Sequence, residues 1–408
     1  MRQGSMKYLL IHQNMPGQFR HLAPALARNP TNQVVFMTRR SDVTLPGVQR
    51  LTYAPTRVAS ASTHHYVRLY ENCVLHGQQV VRACLKLANE GFRPDMIIAH
   101  PGWGESLFVK DVFPDAKLLN YCEFYYHGHG ADVGFDPASP ASMDSICRAR
   151  ARNAHLLLSL EACDHGISPT HWQRDRHPEP FRHKISVIFD GVDTDMVHPD
   201  PEARFILPDG RALMARDEVV TYVARNLEPY RGFPSFMRAV PQILRARPEA
   251  RIVIIGGDEI SYGHAPSGHT TWREAMLAEV GPLDPDRVHI LPRIPYASYL
   301  TLLQVSAAHV YLTVPFVLSW SCMETLAAGC LVVGSRTPPV EEVIEDGHNG
   351  VLVDFFAPDQ IAARVADCLA DRAGQDSLRR RARETVLERY ALNRCLPAQL
   401  RLIESLVA

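Results

Sequence analysis

The sequence lacks any apolar run close to the roughly 18 residues from which a membrane-spanning helix is built. It also lacks the core of a signal peptide, because the apolar part of its start, Tyr8 to Ile11, is too short for one. We therefore expect a cytoplasmic protein with no transmembrane segment, and a peripheral contact with a membrane stays open. Met6 is taken as the natural start, with residues 1–5 as an added leader.

Net charge and cysteine pairs are missing as well. Lys and Arg number 43 against 44 Asp and Glu, which gives a formal net charge of -1. A chain so balanced has no basic surface for nucleic acid, so we expect no nucleic-acid partner, and local arginines must bind any anionic ligand. The nine cysteines form no C-x-x-C pair, a pattern typical of reduced thiols rather than of a disulfide framework.

What the sequence does contain is an alternation of strands and helices that runs twice. Runs such as "KYLLIH" and "QVVFMT" alternate with helical stretches in the first half, and "EVVTYVARN" restarts the rhythm in the second. This order predicts an α/β protein with doubly wound parallel sheets, and 408 residues are too many for one ordinary core. We predict a Rossmann-like domain over residues 6–198, a second over 199–385, and a C-terminal helix over 386–408 that packs back on the first domain. Residues 193–218 are polar, contain prolines and are predicted to be the interdomain connection.

Ligands of such sheets bind outside the carboxyl ends of the strands, where the strand order reverses. Two units of this kind in tandem predict a ligand in a cleft between two sets of strand-end loops. The architecture alone does not predict the chemistry.

Two arginines flank a loop in "YVARNLEPYRGF", Tyr222 to Phe233. Arg225 ends a predicted strand, and Arg231 with Gly232 opens the next helix. Guanidinium groups match phosphate oxygens two at a time, so the pair can neutralise a diphosphate. Gly232 lets the backbone come close, and the start of the helix adds amide donors. The alternative is two surface arginines that flank a loop by chance.

A second anion site is predicted in "PFVLSWSCMETLAAGCLVVGS", Pro315 to Ser335. The stretch turns helical at its middle, so the backbone N–H groups of Leu318 to Ser321 precede a helix and should be available to an anion. Glu324 then lies in the first helical turn. Either it closes a capping box with Ser321, or it accepts hydrogen bonds from vicinal hydroxyls such as those of a ribose.

These stretches together resemble a known family. "RNLEPYRGF", "VIIGGDE", "RVHILPRIPY" and "SCMETLAAGCLVVGSRTPPVEEVIEDGHNGVLV" are similar, in order and spacing, to the C-terminal half of the family 4 glycosyltransferases. "KYLLIHQNMPGQFRHLAPALA", "PDMIIAHPGWGESLFVKDVFP" and "ISVIFDGVDTDMVHP" resemble the N-terminal half. The resemblance covers the chain from about Met6 onward. It implies the GT-B fold, a nucleotide-sugar donor, a retaining mechanism and no requirement for a metal.

The resemblance implies roles for the matching residues on the diphosphate. Arg225 and Arg231 resemble the catalytic basic pair that grips the diphosphate, although the second is usually lysine in the family. Gly17, in "MPGQF", resembles the glycine whose backbone approaches the phosphates. The amides that precede the helix complete this predicted set, at Ser319, Trp320 and Ser321.

Two further resemblances concern residues that would bind the nucleoside. Glu324 resembles the second glutamate of the family's E-x7-E motif, which holds the ribose. Arg293 and Ile294, in "PRIP", lie in a loop that resembles the one whose backbone reads the base.

Two departures from the family pattern concern the sugar. Phe316 stands where the family's first glutamate contacts the sugar of the donor, and residues 313–323 contain no acid. The sugar would then lie against Phe316, held by backbone amides near Leu318 and Ser319. Glu123 stands where the family often has histidine, at the end of the fourth strand, and we predict it as a catalytic residue. The alternative is a buried acid paired with an arginine.

On the acceptor side we predict His100 and Trp103, in "HPGWG", and His127, in "HGHG". Trp103 could stack on an acceptor ring or only pack. His127 and His129 have no third ligand spaced to complete a metal site, so no metal is expected.

We therefore expect a glycosyltransferase that needs no cofactor and takes a nucleotide sugar, with UDP or GDP favoured, as a substrate. The acceptor is a hydroxyl of a saccharide, a lipid-linked molecule or a small molecule. Two alternatives stay open: a nucleotide-sugar 2-epimerase on the same fold, and a non-catalytic two-domain sugar-binding protein.

Overall fold

The computed structural model describes residues 5–407, so most of the leader that was set aside above lies outside the described residues. The chain divides into two compact units. Unit 1 contains the residues up to Gly191 and those from Asn393 onward, and unit 2 contains Val192–Leu392. The chain therefore changes units a few residues away from the predicted joins.

Unit 1 is built on a parallel sheet of seven strands in the order β3-β2-β1-β4-β5-β6-β7. Successive residues of β1 point to opposite faces: Leu9 belongs to the apolar core on one face, and Leu10 to the core on the other. Both faces are covered, which is why the strands are apolar runs rather than alternating ones. The strands are β1 Lys7–Ile11, β2 Gln33–Thr38, β3 Val48–Thr52, β4 Met96–Ala99, β5 Lys117–Tyr121, β6 His165–Ser168 and β7 Ile185–Val187.

Helices of very different length surround this sheet. The longest of them begins at Arg68 and buries one apolar face, including Val80, Cys84 and Leu87. The helices are α1 Leu22–Ala27, α2 Arg68–Asn89, α3 Val109–Val112, α4 Met143–Arg152, α5 Ala154–Ala162, α6 His171–Arg176 and α7 Glu179–Arg182.

Unit 2 repeats the plan with a parallel sheet of six strands in the order β12-β11-β10-β13-β14-β15, and it adds the antiparallel pair β8-β9. The strands are β8 Arg204–Ile206, β9 Ala212–Met214, β10 Val219–Asn226, β11 Arg251–Gly257, β12 Val288–Leu291, β13 Ala308–Tyr311, β14 Val332–Ser335 and β15 Val351–Val353.

The helices of unit 2 follow its strands in turn. The first of them buries Phe236, Val240 and Ile243, a spacing that places them on one helix face toward the sheet. The helices are α8 Phe233–Ala246, α9 Trp272–Val280, α10 Tyr296–Val305, α11 Trp320–Ala327, α12 Pro338–Glu341, α13 Pro358–Ala370 and α14 Asp376–Arg389. The last helix of the chain, α15 Leu392–Val407, adds Ile403 to the core of unit 1.

The segment expected to be only a connection contains the β8-β9 pair. Phe205, Leu207 and Leu213 are buried in the same core as Val219 and Val253 of the main sheet. The sequence did contain a signal for this hairpin, because the apolar Phe205 and Leu207 alternate just before the turn residues "PDG". The polar composition of residues 193–218 as a whole hid that signal. Strand β3 was also missed, because "VQRLT" is a half-exposed edge strand with polar residues.

The predicted fold class is confirmed, because both main sheets are parallel and each has one reversal of strand order. The reversal lies between β1 and β4 in unit 1 and between β10 and β13 in unit 2. Among residues 5–407, no helix is long and apolar enough to cross a membrane.

The core of unit 2 contains a histidine whose charge state makes stability depend on pH. His309, in β13, is fully buried, and its Nδ1 lies 2.8 Å from Oγ1 of Thr221. Burial lowers the pKa of His309 to about 3. The unfolded chain binds a proton at this residue as the pH falls below about 6.5, whereas the folded chain stays neutral. Acid therefore favours the unfolded state between these values.

The free energy of unfolding of the parent protein should fall as the pH falls, in part because of His309. We predict that His309→Gln makes this slope smaller by about 1.4 kcal/mol per pH unit between roughly pH 5.5 and 4. Urea unfolding at a series of pH values measures this slope. His269→Gln, which replaces an exposed histidine, is the control and should keep the slope of the parent protein. Equal slopes for His309→Gln and the parent would contradict the prediction.

Candidate functional site

In unit 2, the predicted site residues lie on segments that follow the neighbouring strands β10 and β13. Arg225 is the penultimate residue of β10, a 3-10 turn at Pro229–Arg231 follows the strand, and residues 312–319 link β13 to α11. Strand order reverses between these two strands. The two loops therefore meet at the position where open parallel sheets bind ligands.

Arg231 is fixed on one side only. Its Nη1 donates to Oγ1 of Thr313 at 2.7 Å and to the carbonyl oxygen of Val317 at 3.0 Å. Gly232 follows with φ +67°, and a Cβ there would lie 2.4 Å from the Cβ of Leu312, so only glycine fits this close approach. Nε and Nη2 of Arg231 have no partner within residues 5–407, and no carboxylate in that range pairs with the guanidinium.

Arg225 has an exposed side chain. Its guanidinium forms no ion pair or hydrogen bond with any residue that the structure describes, while its carbonyl oxygen accepts from Nε of Arg293 at 3.2 Å. Both arginines of the predicted pair therefore keep positive charge that no described carboxylate offsets. Such charge suits an anionic ligand.

The loop after β11 is anchored beside Arg231 by Glu228, which sequence reasoning missed. The Glu228 carboxylate is buried, and its Oε2 accepts from the backbone N–H groups of Ser261, Tyr262 and Gly263 at 3.2, 3.2 and 3.4 Å. The Arg231 guanidinium lies 5.9 Å from the centre of the Tyr262 ring. Glu228 therefore places an aromatic ring next to the arginine without neutralising it.

Phe316 lies in an aromatic cluster with Tyr230 and Tyr262. Its ring is almost buried and meets those of Tyr230 and Tyr262 edge-on, with centroids 5.7 and 5.0 Å apart. In this chain an apolar, aromatic surface therefore stands at the position where the family 4 glycosyltransferases have a glutamate.

The start of α11 differs from the prediction. The helix begins at Trp320, two residues before the expected start, so Glu324 lies beyond the first turn. Ser319 is the N-cap and makes no side-chain cap bond, and Ser321 lies inside the helix. The capping box of Ser321 and Glu324 is therefore wrong, because the motif is shifted relative to the helix end.

The backbone N–H groups before α11 are not all available. The N–H of Ser319 donates to the Tyr311 hydroxyl at 3.0 Å, and the Ser319 hydroxyl lies 2.7 Å from that of Ser321. Within the described chain, the N–H groups of Val317 and Leu318 make no hydrogen bond. Of the predicted set, the N–H of Leu318 is therefore available and that of Ser319 is not, and Val317 adds an amide one residue earlier.

Glu324 is oriented by two tyrosines of α10. It is buried, and its carboxylate accepts from the hydroxyls of Tyr296 at 2.7 Å and Tyr299 at 3.0 Å. Burial and the neighbouring carboxylate raise the pKa of Tyr299 well above its ordinary value, so this hydroxyl keeps its proton. Tyr296 is 44% exposed, so the carboxylate lies close to the surface.

The loop of Arg293 and Ile294, which is predicted to bind the base, is anchored through these two side chains. Nη2 of Arg293 donates to Oδ1 of Asn226 at 2.8 Å and to Oε2 of Glu259 at 2.6 Å. Ile294 packs against the core that contains β8 and β9. Both side chains thus have partners within unit 2, and about half of the Arg293 side chain stays exposed.

In unit 1, polar side chains gather at the reversal between β1 and β4. His12 follows β1, His100 follows β4, and Glu123 lies two residues after the end of β5. Nε2 of His100 lies 3.4 Å from Oε2 of Glu123. Gln18 joins His12 to Glu123, with contacts of 2.7 Å from its Oε1 to Nε2 of His12 and 2.9 Å from its Nε2 to Oε1 of Glu123.

The alternative in which Glu123 pairs with an arginine is wrong, because its side-chain partners in the described chain are Gln18 and His100. Burial raises the pKa of Glu123, but the contacts with His100 and Gln18 and the nearby His12 outweigh burial, and the net shift is downward. Burial and the nearby His100 lower the pKa of His12 to about 3, so the His12 ring is neutral. Glu123 is thus an ionised carboxylate next to a neutral ring.

The other predicted acceptor-side residues also lie here. Trp103 ends a 3-10 turn, Pro101–Trp103, and its ring stacks on that of His100 with centroids 4.7 Å apart. His127 donates from Nε2 to the carbonyl oxygen of Arg176 at 2.6 Å, so one of its ring nitrogens is engaged by the main chain. Within residues 5–407, no three His, Cys, Asp or Glu side chains cluster closely enough to hold a metal ion.

Sequence reasoning missed His12 and Gln18, although both lie in "IHQNMPGQF", from which only Gly17 was selected. A polar residue directly after a buried strand was the available signal for His12. Nothing local could reveal that Gln18 meets Glu123, which is 105 residues away.

Two family models match the chain. The family model "Glycosyl transferase family 4 group" matches residues 30–197, and "Glycosyl transferases group 1" matches residues 210–385.

Two curated relatives are similar to parts of the chain. A D-inositol 3-phosphate glycosyltransferase of Segniliparus rotundus is 28% identical over 46% of this chain and 39% of its own length. A GDP-mannose-dependent alpha-(1-6)-phosphatidylinositol monomannoside mannosyltransferase of Mycobacterium tuberculosis is 24% identical over 64% of this chain and 63% of its own. The chain thus matches less than two thirds of the length of either relative.

Solved structures match over nearly the whole chain. Sucrose-phosphate synthase from Thermosynechococcus elongatus has a TM-score of 0.72 at 18% identity and covers 98% of this chain and 99% of its own. Anabaena HepE in complex with UDP-glucose has a TM-score of 0.68 at 13% identity, with coverage of 98% and 100%. At these identities the likeness shows the fold, which is GT-B.

The close contact between Gly17 and His12 gives a test of the unit 1 site. Gly17 has φ +50°, and a Cβ there would lie 2.4 Å from Nε2 of His12. Gly91 also has a positive φ, +84°, but a Cβ there meets nothing within 4 Å. The two positions share the backbone strain of an alanine and differ in the steric clash.

We predict that Gly17→Ala destabilises the protein by about 1–3 kcal/mol more than Gly91→Ala, because the added methyl group must displace the His12 ring. Equilibrium unfolding in urea measures both variants. Equal losses would show that the ring is not held against Gly17.

Proposed function

The chain belongs to the glycosyltransferases, with a family 4 group domain followed by a group 1 domain, and on this premise we propose that it transfers a sugar from a nucleotide diphosphate sugar to an acceptor hydroxyl with retention of anomeric configuration. The observation that carries the proposal is the pair Arg225 and Arg231 at the carboxyl end of β10. Neither guanidinium is paired with a carboxylate within residues 5–407.

The arginines act on the diphosphate. When the bond between the anomeric carbon and the diphosphate breaks, the electron pair stays on the leaving oxygen. Arg225 and Arg231 stabilise the charge that develops there, and the N–H groups of Val317 and Leu318 add to the field at the start of α11. In this proposal the arginines supply the positive charge that a divalent cation would otherwise supply, so the reaction needs no metal.

Glu324 holds the ribose of the sugar donor. In this proposal the carboxylate accepts from the vicinal ribose hydroxyls, and the hydroxyls of Tyr296 and Tyr299, which donate to it, fix its direction. The base lies against the backbone of Arg293 and Ile294, whose side chains are engaged elsewhere.

The transferred sugar lies against Phe316 and Tyr262, next to Arg231. This wall has no carboxylate, so backbone groups near Leu318 and Ser319 hold the sugar hydroxyls on that side. On unit 1, Gly17 approaches the phosphates, Glu123 contacts a sugar hydroxyl, and Trp103 lines the acceptor side together with His100 and His127.

The relatives support a nucleotide sugar whose nucleotide is UDP or GDP. One is named as GDP-mannose-dependent, and the HepE structure contains UDP-glucose. The acceptor in our proposal is a saccharide, a lipid-linked molecule or a small molecule. We place the reaction in the cytoplasm, with peripheral membrane contact left open, because the nine cysteines are free thiols and eight of them are buried.

We predict that one class of nucleotide sugar raises the melting temperature of the protein, because a ligand that binds only the folded state stabilises it. At a concentration about 100 times Kd the gain is about 2.7 kcal/mol. A thermal-shift screen against UDP, GDP, ADP and their sugars identifies that class. Binding of a free sugar without any nucleotide would contradict the proposal, and conversion of the donor alone into an isomer would favour an epimerase.

We predict that Arg225→Ala lowers kcat about a hundredfold or more, since removing one group that stabilises developing charge costs about 2.7–4 kcal/mol. The variant should keep its stability, because the Arg225 side chain bonds to no described residue. Turnover of the donor identified above is the measurement. Arg238→Ala, which removes an arginine of α8 paired with Glu279, is the matched control. An Arg225→Ala enzyme with the turnover of the parent would refute the assigned role.

A further inference from the structure

Three polar side chains surround the Glu123 carboxylate, and we call His12, Gln18 and His100 the Glu123 frame. They come from two segments, one after β1 and one after β4. Their contacts reach both carboxylate oxygens: Gln18 contacts Oε1 at 2.9 Å, and His100 lies 3.4 Å from Oε2. His12 reaches the carboxylate through Gln18, whose Oε1 lies 2.7 Å from Nε2 of His12.

The backbone sets the direction of each contact. The N–H of Asn14 donates to Nδ1 of His12 at 2.9 Å, and the N–H of Gly102 donates to Nδ1 of His100 at 3.1 Å. In the neutral ring the proton therefore lies on Nε2 of each histidine. His12 then donates to Oε1 of Gln18, the Gln18 amide donates to Glu123, and the Nε2 proton of His100 faces the other oxygen of Glu123.

The frame is rigid. A Cβ at Gly17 or Gly102 would lie 2.4 or 2.7 Å from the ring of His12 or His100. The indole of Trp103 packs on both rings, with centroids 5.2 Å from His12 and 4.7 Å from His100. The side chains therefore have little room to turn away from Glu123.

The burial of the cluster is uneven. His12 and His100 are each 2% exposed, whereas the Glu123 side chain is 35% exposed. Gln173 fixes the main chain below the carboxylate by donating to the Glu123 carbonyl oxygen at 2.7 Å. The buried His12 and His100 thus lie behind a carboxylate, that of Glu123, which solvent can reach. An ionised carboxylate with one contact on each oxygen still has positions for further donors.

We propose that the Glu123 frame is a positioning device that holds Glu123 ionised and directed outward, so that it accepts a hydrogen bond from a sugar hydroxyl of the acceptor or of the sugar donor. This rests on the proposed function for the identity of the ligand. His12, Gln18 and His100 are positioning residues, because they act through Glu123.

The titratable groups that face Glu123 are His12 from the segment after β1, His100 from the segment after β4, and Tyr121 from β5. Burial raises the pKa of Tyr121 well above its usual range, as does its bond to Asp190, so Tyr121 stays protonated. The charge of Glu123 therefore depends on the frame.

The first test follows the ionisation of Glu123 in the full chain without any ligand. Carbon-13 NMR of glutamate carboxyl carbons over a pH series gives its pKa, with the signal assigned by its loss in Glu123→Gln. Gln18→Met keeps the length of the side chain and removes both of its bonds, so the pKa of Glu123 should rise. The exposed Gln78→Met variant of α2 is the matched control and should leave it unchanged.

An unchanged pKa of Glu123 in a folded Gln18→Met protein would overturn the proposal. Should that variant fail to fold, His100→Asn tests the contact with the other oxygen, and the same criterion applies. This measurement needs no substrate. If no nucleotide sugar binds, the proposed function is refuted, but the pKa of Glu123 still tests the role of the Glu123 frame.

The second test locates the hydroxyl. Loss of a hydrogen bond to a charged group changes a rate or binding constant about tenfold or more. If the hydroxyl belongs to the acceptor, Gln18→Met should raise the KM for the acceptor about tenfold. If it belongs to the sugar donor, affinity for the nucleotide sugar should fall while affinity for the free nucleotide stays the same. Parent values in both measurements would overturn the proposal.

Discussion

Parallel pairing across the point of reversal is the constraint on which both candidate sites depend. Because β1 pairs with β4, and β10 with β13, segments far apart in sequence leave each sheet side by side at its carboxyl edge. His12 and His100 meet in this way in unit 1, and Arg231 meets Thr313 in unit 2. The apolar strands determine that pairing, so the cores on the two faces of each sheet also determine which polar groups come together.

The carboxylates of the two sites have hydrogen-bond donors as partners, whereas Arg225 and Arg231 have no carboxylate partner in the described chain. Glu228 accepts from backbone amides, Glu324 from tyrosine hydroxyls, and Glu123 from the side-chain amide of Gln18, with Nε2 of His100 3.4 Å away. None of these three acids is paired with Arg225 or Arg231 in the described chain. Groups other than the arginines contact these acids, so the charge of the arginines is left for an anionic ligand. This arrangement supports a site for a diphosphate in unit 2.

Phe316 illustrates how a departure from a family pattern changes the local physics. A carboxylate at this position would stand in an aromatic cluster, next to Tyr230 and Tyr262, where an unpaired charge is expensive to bury. Phenylalanine fills the same space with apolar contacts. The wall beside Arg231 therefore offers apolar contacts rather than hydrogen bonds to an acid.

The sequence by itself determined the two α/β units, nearly all of the strands, and the residue types at the ends of those strands. These depend on local periodicity and on short stretches such as "YVARNLEPYRGF", which can be interpreted without knowing what lies next to them. Only the tertiary structure decided the partners. Glu324 bonds to tyrosines 25 and 28 residues earlier rather than to Ser321, and Glu123 bonds to Gln18 across 105 residues. A hydrogen bond depends on distance in space, and strand pairing between remote segments sets that distance.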